Sequence, residues 1–125
     1  MAEFTVPGPP VSKQRPRRAP AGHWYTPKKT VDYENLVAQC AMAAGLKLEP
    51  KKWYRLEIDL YLSSFRRDRD NICKAIQDGL QRMGQDWDDS QVHNLMVKTI
   101  SVKDGSEEKA VIKVGAMPGV IHEDV

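Results

Sequence analysis

Residues 66–74 combine acidic and basic side chains in a pattern suited to chemistry on a phosphate. Asp68 and Asp70 are separated by a single residue, and three arginines surround them, namely Arg66, Arg67 and Arg69. Carboxylate oxygens are ligands that Mg²⁺ prefers, and guanidinium groups bind phosphate oxygens. Carboxylates that nothing neutralises would repel each other, whereas a divalent cation would stabilise them. The segment therefore indicates a hard divalent cation bound beside a phosphodiester.

A third acidic ligand would have to come from beyond the helix that follows this segment. The candidates there are Asp86, Asp88 and Asp89. The predicted helix, about 70–83, would be about 21 Å long, so one of them returns to the first pair only if the loop after Gly84 doubles back or the next strand lies beside the metal. The spacing does not decide which of the three aspartates is the ligand. The three also lack the twelve-residue spacing of a calcium-binding EF loop.

Each of these residues also has an ordinary structural interpretation. Asp70 could be the N-cap of the helix, and Asp68 could be a surface partner of a neighbouring arginine. Lys74 stands four residues after Asp70 and four before Asp78, the spacing of an ion-paired polar stripe. Only the combination of these features favours catalysis.

The hydrophobic pattern predicts the elements that must position these side chains. We expect a strand at 3–6, a helix at about 31–44, a strand at 54–62, a helix at about 70–83, and β-rich runs at 92–103 and 109–114. Thr30 is predicted to cap the first helix, with Asp32 and Glu34 at the positive end of its dipole. Asp104-Gly105 predicts an antiparallel hairpin between the last two strands. The order predicts an α+β fold, a two-layer mixed sheet with two helices.

The 125 residues suit one domain, with a long loop at 7–30 and a flexible tail at 115–125. The sequence contains neither a run of about 20 apolar residues nor the pattern of a signal peptide, which predicts a cytoplasmic protein that binds no membrane. Cys40 and Cys73 fall in predicted helices and are expected to be buried thiols.

The net charge of +2 is small, but the basic residues are unevenly distributed. The segment between Pro7 and Val31 has no acidic residue, and its lysines and arginines are Lys13, Arg15, Arg17, Arg18, Lys28 and Lys29. Such a run is often a solvated loop. It favours phosphate binding if a second basic cluster, such as the arginines at 66–69, converges with it.

These motifs closely resemble the RusA family of Holliday-junction resolvases. The matching features are the step Asp68-Arg69-Asp70-Asn71, then Lys74 and Asp78, then the pair Asp88-Asp89 ahead of a β-strand. The resemblance extends from the segment Pro7-Gly8-Pro9-Pro10 to the final strands, which is most of the chain. The loop at 7–30 matches only in its character, so no preference for a cleavage sequence is predicted.

The resemblance implies a role for individual residues. Asp68, Asp70 and Asp89 would hold magnesium, for which manganese can substitute, with Asp88 in a secondary position. Lys74 would be the essential basic residue, and Arg67 would contact DNA. The family's members act as homodimers that nick two opposing strands of a four-way DNA junction, and many are encoded by phages or prophages.

Two other functions remain compatible with these residues. A DNA-binding accessory protein that recognises branched DNA would use the same basic residues without an acidic cluster. A metal-dependent nuclease could also act on branches other than four-way junctions. Cleavage assays on different DNA substrates distinguish these possibilities.

Overall fold

A four-stranded mixed sheet and two helices form the fold of the protein in a computed structural model that describes residues 1–120. The elements in chain order are β1 (Ala2–Pro7), β2 (Arg17–Arg18), β3 (Trp24–Tyr25), α1 (Lys28–Ala43), β4 (Lys52–Leu62), α2 (Arg69–Gln81), β5 (Val92–Ser101) and β6 (Lys109–Val120). Short 3₁₀ turns, Asp89–Gln91 and Gly105–Glu107, precede β5 and β6. The predicted α+β class is confirmed.

The sheet has the strand order β1-β6-β4-β5, in which β4 and β5 are parallel and the other pairs antiparallel. Alternate residues of β4 from Tyr54 to Leu62 are buried, as the two-residue period predicted. These side chains pack in one core with Val37 of α1 and Ile76 of α2, so the helices cover this face of the sheet. Within residues 1–120, no helix is long and apolar enough to span a membrane.

The predicted hairpin between the last two strands is wrong, because β4 lies between β5 and β6. After β4, α2 carries the chain back so that β5 runs parallel to β4, which a hairpin cannot do. Asp104 instead caps the 3₁₀ turn by accepting a hydrogen bond from the Ser106 amide at 2.8 Å. The chain crosses the end of β4 there, where the Val102 amide donates to the Leu62 carbonyl at 3.0 Å.

The first helix begins earlier than predicted, at Lys28, and its N-cap is Pro27 rather than Thr30. Thr30 lies inside the helix and is buried, and its hydroxyl accepts a hydrogen bond from the Gln14 amide at 3.3 Å and donates to the Ser12 carbonyl at 3.4 Å. Thr30 therefore fastens the long loop to α1.

The structure differs from the prediction in two further segments, the long loop and the C-terminal tail. The loop at 7–30 contains a small hairpin, β2 paired with β3, which the sequence pattern did not predict. The predicted flexible tail begins at residue 115, whereas β6 continues to Val120; residues 121–125 lie outside the described part of the chain.

Both cysteines are free thiols in helices, as predicted. Cys73 is buried, and burial raises the pKa of its thiol to about 11. Cys40 is only half-buried. Cys73 is therefore an inert core residue at neutral pH.

Gly79 allows α1 and α2 to pack closely, and its replacement tests this contact. A Cβ atom at Gly79 would lie 2.7 Å from Val37 Cβ and 2.9 Å from the Glu34 carbonyl oxygen. Because backbone and a β-branched side chain must move, we expect Gly79→Ala to lower the free energy of unfolding by about 1–3 kcal/mol in urea titrations. Gly105→Ala is the matched control, since nothing lies within 4 Å of its Cβ position. Equal stability of the two variants would contradict the close packing.

Candidate active site

The acidic pair Asp68 and Asp70 lies at the N-terminus of α2. Asp68 is the N-cap, and its carboxylate accepts hydrogen bonds from the Asn71 amide at 3.2 Å and from Asn71 Nδ2 at 2.6 Å. Asp70 lies in the first turn of the helix, so the expectation that it could be the cap is wrong. Both residues are exposed, at the positive end of the helix dipole.

Lys74 lies one turn further along the same face of α2 as Asp70. Its Nζ is 2.9 Å from Asp89 Oδ2 and 3.2 Å from Asp78 Oδ1. The hydrogen bond to Asp89, supported by Asp78, raises the pKa of Lys74, so it is an ammonium cation at neutral pH. The predicted stripe of Lys74 and Asp78 is present, and Asp89 joins it from a distant part of the chain.

The turn after α2 determines which of the three downstream aspartates returns to the helix. Trp87 is buried, and Asp88 caps the 3₁₀ turn by accepting from the Ser90 amide at 2.9 Å. Gln91 is also buried, and its Nε2 donates to the carbonyls of Glu49 at 2.8 Å and Lys52 at 3.0 Å. With the turn anchored in this way, Asp89 contacts Lys74 in the middle of α2, while Asp88 accepts a hydrogen bond at 3.2 Å from Gln81 at the C-terminal end of that helix.

The predicted metal ligands fit a hard divalent cation in chemical kind, since Asp68, Asp70 and Asp89 offer only carboxylate oxygens. The positions of these carboxylates do not form a complete metal site. Among residues 1–120, no three His, Cys, Asp or Glu side chains are grouped so that they could hold a metal ion. The Lys74 ammonium lies against Asp89, and the carboxylate of Asp68 is engaged by Asn71. The metal-ligand set therefore remains a prediction.

Asp70 differs from the other two predicted ligands. In the part of the chain that the structure describes, its carboxylate forms neither a hydrogen bond nor an ion pair, and it is exposed. An exposed carboxylate one turn from a lysine is available to an incoming ligand.

A chain of alternating charges lies behind the site and was not predicted. Glu34 on α1 has only 2% of its side chain exposed, and its oxygens are 2.8 Å from Lys13 Nζ and 2.7 Å from Arg82 Nε. Lys13 Nζ is also 3.1 Å from Asp78 Oδ2, which links Glu34 to Lys74. The expectations that Glu34 serves the helix dipole and that Lys13 contacts DNA miss these buried ion pairs. The available signal was spacing, because Glu34 shares the helix face of Val37 and Ala41.

Arg67, predicted to contact DNA, is engaged inside the protein. Its Nη1 is 2.8 Å from Glu108 Oε1, and its Nη2 donates to the Pro10 carbonyl. Glu108 also accepts hydrogen bonds from the amide and hydroxyl of Ser63, at 2.8 and 2.5 Å. These contacts hold the turn that precedes Asp68.

The long basic loop is attached to the same turn and helix. Besides the contact between Arg67 and Pro10, the Lys13 amide donates to the Asn71 carbonyl at 2.8 Å. The loop and the arginine-rich segment are therefore adjacent, which is the condition under which the basic run favours phosphate binding.

The remaining basic candidates are on the surface. The exposed ones are Arg15, Arg17, Arg18, Lys28, Lys29, Arg66 and Arg69. Lys28 pairs with Asp32 at 2.7 Å, and Arg69 donates to Thr99 Oγ1 at 3.4 Å.

The small hairpin of β2 and β3 carries aromatic residues that the sequence interpretation missed. Trp24 pairs with Arg18, and Tyr25 pairs with Arg17. Trp24 is 68% exposed. The available signal was the order of the segment, in which a Pro-Ala-Gly turn separates two arginines from two aromatic residues. Cationic and aromatic side chains on one exposed hairpin are typical of nucleic-acid contacts.

Comparison with known protein families finds a match. The model described as "Endodeoxyribonuclease RusA" matches residues 7–115, from the basic loop through most of β6. No curated protein matches the chain significantly. The matched range contains both helices, β4, β5, the turn with Asp89 and the first half of β6, whereas nearly all of β1 precedes it.

The pH dependence of stability tests the contacts that hold the turn before Asp68. Burial by itself would raise the pKa of Glu108, but hydrogen bonds from Ser63 and Arg67 outweigh it and lower that pKa. A carboxylate with a lowered folded-state pKa contributes stability above its unfolded pKa, and this contribution is lost as pH falls through the folded value.

We therefore expect the free energy of unfolding to fall more steeply below about pH 4 in the unmodified protein than in Glu108→Gln, as measured by urea titration at several pH values. Glu3→Gln, at an exposed position on β1, serves as the control and should keep the steep acid limb. Parallel curves for the unmodified protein and Glu108→Gln would show that Glu108 carries no such contribution.

Proposed function

Since the chain belongs to the RusA family of endodeoxyribonucleases, we propose that it resolves four-way Holliday junctions by paired, symmetric nicks in DNA recombination and repair. The observation that carries this proposal is the position of Lys74, which lies one helical turn after Asp70 and contacts the carboxylate of Asp89. Acidic and basic groups from distant parts of the chain meet there on an accessible helix face, beside a basic loop.

Asp68, Asp70 and Asp89 are the residues we expect to hold magnesium or manganese, with Asp88 in a secondary position. When bound, such a cation would polarise the phosphate and supply an activated water. Lys74, whose Nζ lies 2.9 Å from Asp89 Oδ2, would neutralise negative charge that develops on the phosphate. The partial exposure of Lys74 supports this role.

The exposed arginines and lysines are proposed to bind the DNA backbone on both sides of the site. Arg66 precedes the aspartates and Arg69 lies between them. The loop places Arg15 and Arg18 on the surface, and Lys29 is exposed in the first turn of α1. Lys13 and Arg67 instead position the loop and the turn through their internal ion pairs. A symmetric junction presents two equivalent strands, so the proposed enzyme acts as a homodimer with both sites on one face. We propose a cytoplasmic enzyme, encoded by a phage or prophage in a bacterial host.

Replacement of Asp70 separates catalysis from binding. With Asp70→Asn, we expect cleavage of a synthetic four-way junction to slow by about 100-fold or more, since a charged ligand is lost, while junction binding in Ca²⁺ is retained. Asp32→Asn, an exposed acid on α1, is the matched control and should cleave normally. If neither the unmodified protein nor Asp70→Asn cleaves any junction, a DNA-binding accessory role replaces the nuclease.

Metal removal and substrate choice complete this test. We expect cleavage with Mg²⁺ or Mn²⁺ and none in excess chelator, because carboxylates alone do not activate water on a phosphodiester. Cleavage that persists in chelator contradicts the metal proposal. Comparison of four-way, three-way and linear DNA in a gel assay identifies the branch preference, and equal rates on all three contradict junction resolution.

The small hairpin of β2 and β3 provides a separate prediction about junction binding. If Trp24 stacks on unpaired bases near the branch point, Trp24→Ala should weaken junction binding by about tenfold. Met42→Ala, which removes an exposed apolar side chain from α1, is the control. Fluorescence anisotropy with labelled junctions measures both, and unchanged affinity in Trp24→Ala would exclude the hairpin from the interface.

A further inference from the structure

The two edges of the sheet differ in how well they are protected against pairing. The edge strand β1 has six residues, ends at Pro7 and carries the charged, exposed Glu3. The other edge strand, β5, has ten residues and no proline, and Lys98 is its single Lys, Arg, Asp or Glu. Soluble proteins usually shield long edge strands with charges, prolines or covering elements. Among residues 1–120, β5 pairs only with β4, so its outer edge is open.

The side chains of β5 are exposed on both faces of the sheet. Leu95 is 45%, Met96 44% and Val97 38% exposed. Leu95 and Val97 lie opposite Leu56 and Ile58 of β4, so they are on the face that the helices cover elsewhere. Met96 is on the opposite face. The helix layer therefore ends before β5 and leaves adjacent apolar side chains in contact with water.

We propose that β5 is the homodimer interface, where the β5 strands of two copies pair antiparallel about a two-fold axis that passes beside Met96. The requirement for a dimer rests on the proposed junction-resolving function, whereas the choice of surface rests on β5 itself. Backbone groups of the open edge would then be paired, and the exposed apolar side chains would be buried.

The register follows from matching side chains across the axis. With Met96 opposite Met96 of the partner subunit, Leu95 lies opposite Val97 of the partner subunit, and Asn94 lies opposite Lys98 of the partner subunit. A shift by two residues, with Val97 at the axis, places Met96 opposite Lys98 of the partner subunit. Both registers are two-fold symmetric, but only the first pairs apolar with apolar residues on both sides of the axis, so it is the better matched one.

This pairing also determines the relative orientation of the two sites. Directly opposed residues in an antiparallel pair point to the same face of a sheet. Since opposed residues in this register share the helix-covered face, the two helix layers lie on the same side of the joined sheet. The two copies of Asp70 and Lys74 are then on one side of the dimer, as a symmetric junction requires.

DNA is a poor occupant for this edge. Lys98 is the only basic Lys or Arg on the strand, whereas the exposed arginines are on the loop and beside Asp68. A polyanion gains little from Leu95, Met96 and Val97. The β5 strand of a second copy, paired antiparallel, matches this edge in length and in the type of its side chains.

Charge introduced on β5 tests the interface. We expect Met96→Lys and Val97→Lys to sediment as monomers at concentrations where the unmodified protein and Met42→Lys sediment as dimers. Met42 is the matched control because it is an apolar residue, 58% exposed, on α1. Unchanged circular dichroism confirms that the variants fold. A dimer that persists in both β5 variants, or an unmodified protein that is monomeric throughout, overturns the proposal.

Cross-linking tests the register independently. Met96→Cys places two thiols opposite each other at the axis, so oxidation with diamide should yield a disulfide-linked dimer, while Met42→Cys, which keeps the same native Cys40 and Cys73, should not. A dimer that cross-links through Met42→Cys but not through Met96→Cys overturns the interface. These readouts need no nuclease activity, so loss of cleavage in Asp70→Asn tests the function separately. Dissociation by Val97→Lys supports the interface whichever DNA is cleaved.

Discussion

The parallel pairing of β4 with β5 is the constraint on which the site depends. Parallel neighbours need a connection that returns the chain to the starting end of the sheet, and α2 with the anchored turn at 87–91 provides it. The same connection carries Asp70 and Lys74 on the helix and Asp89 on the returning turn. The contact of 2.9 Å between Lys74 and Asp89 is therefore a direct result of the topology, because a hairpin at this place would remove it.

Buried ion pairs join this connection to the basic loop. An unpaired buried carboxylate is costly, and Glu34 avoids that cost by pairing with Lys13 of the loop and Arg82 at the end of α2. Arg67 similarly joins Glu108 to the loop. These ion pairs hold together the basic loop, the turn before Asp68 and the helix of Lys74. If the loop binds the DNA backbone as proposed, it would place a phosphate near the aspartates.

Local patterns predicted much of this arrangement. The two-residue period of β4 and the helical spacing of Ile72, Ile76 and Leu80 gave these elements the correct type, and the spacing of the aspartates indicated where the chemistry lies. Long-range pairing was beyond such patterns: Asp104-Gly105 has the composition of a hairpin turn, but β4 occupies the place beside β6. The burial of Glu34 and Lys13 also depends on how two helices and a loop pack, and the cap at Asp68 rather than Asp70 depends on where the helix begins.

We propose that carboxylates from both ends of the α2 connection share a divalent cation. Titration of Mn²⁺ into the protein, followed by electron paramagnetic resonance, measures this without DNA or turnover. We expect saturable binding that weakens at least about tenfold in Asp89→Asn and is unchanged in Asp32→Asn, since loss of one charged ligand reduces affinity. Equal Mn²⁺ affinity in Asp89→Asn and the unmodified protein would contradict the account.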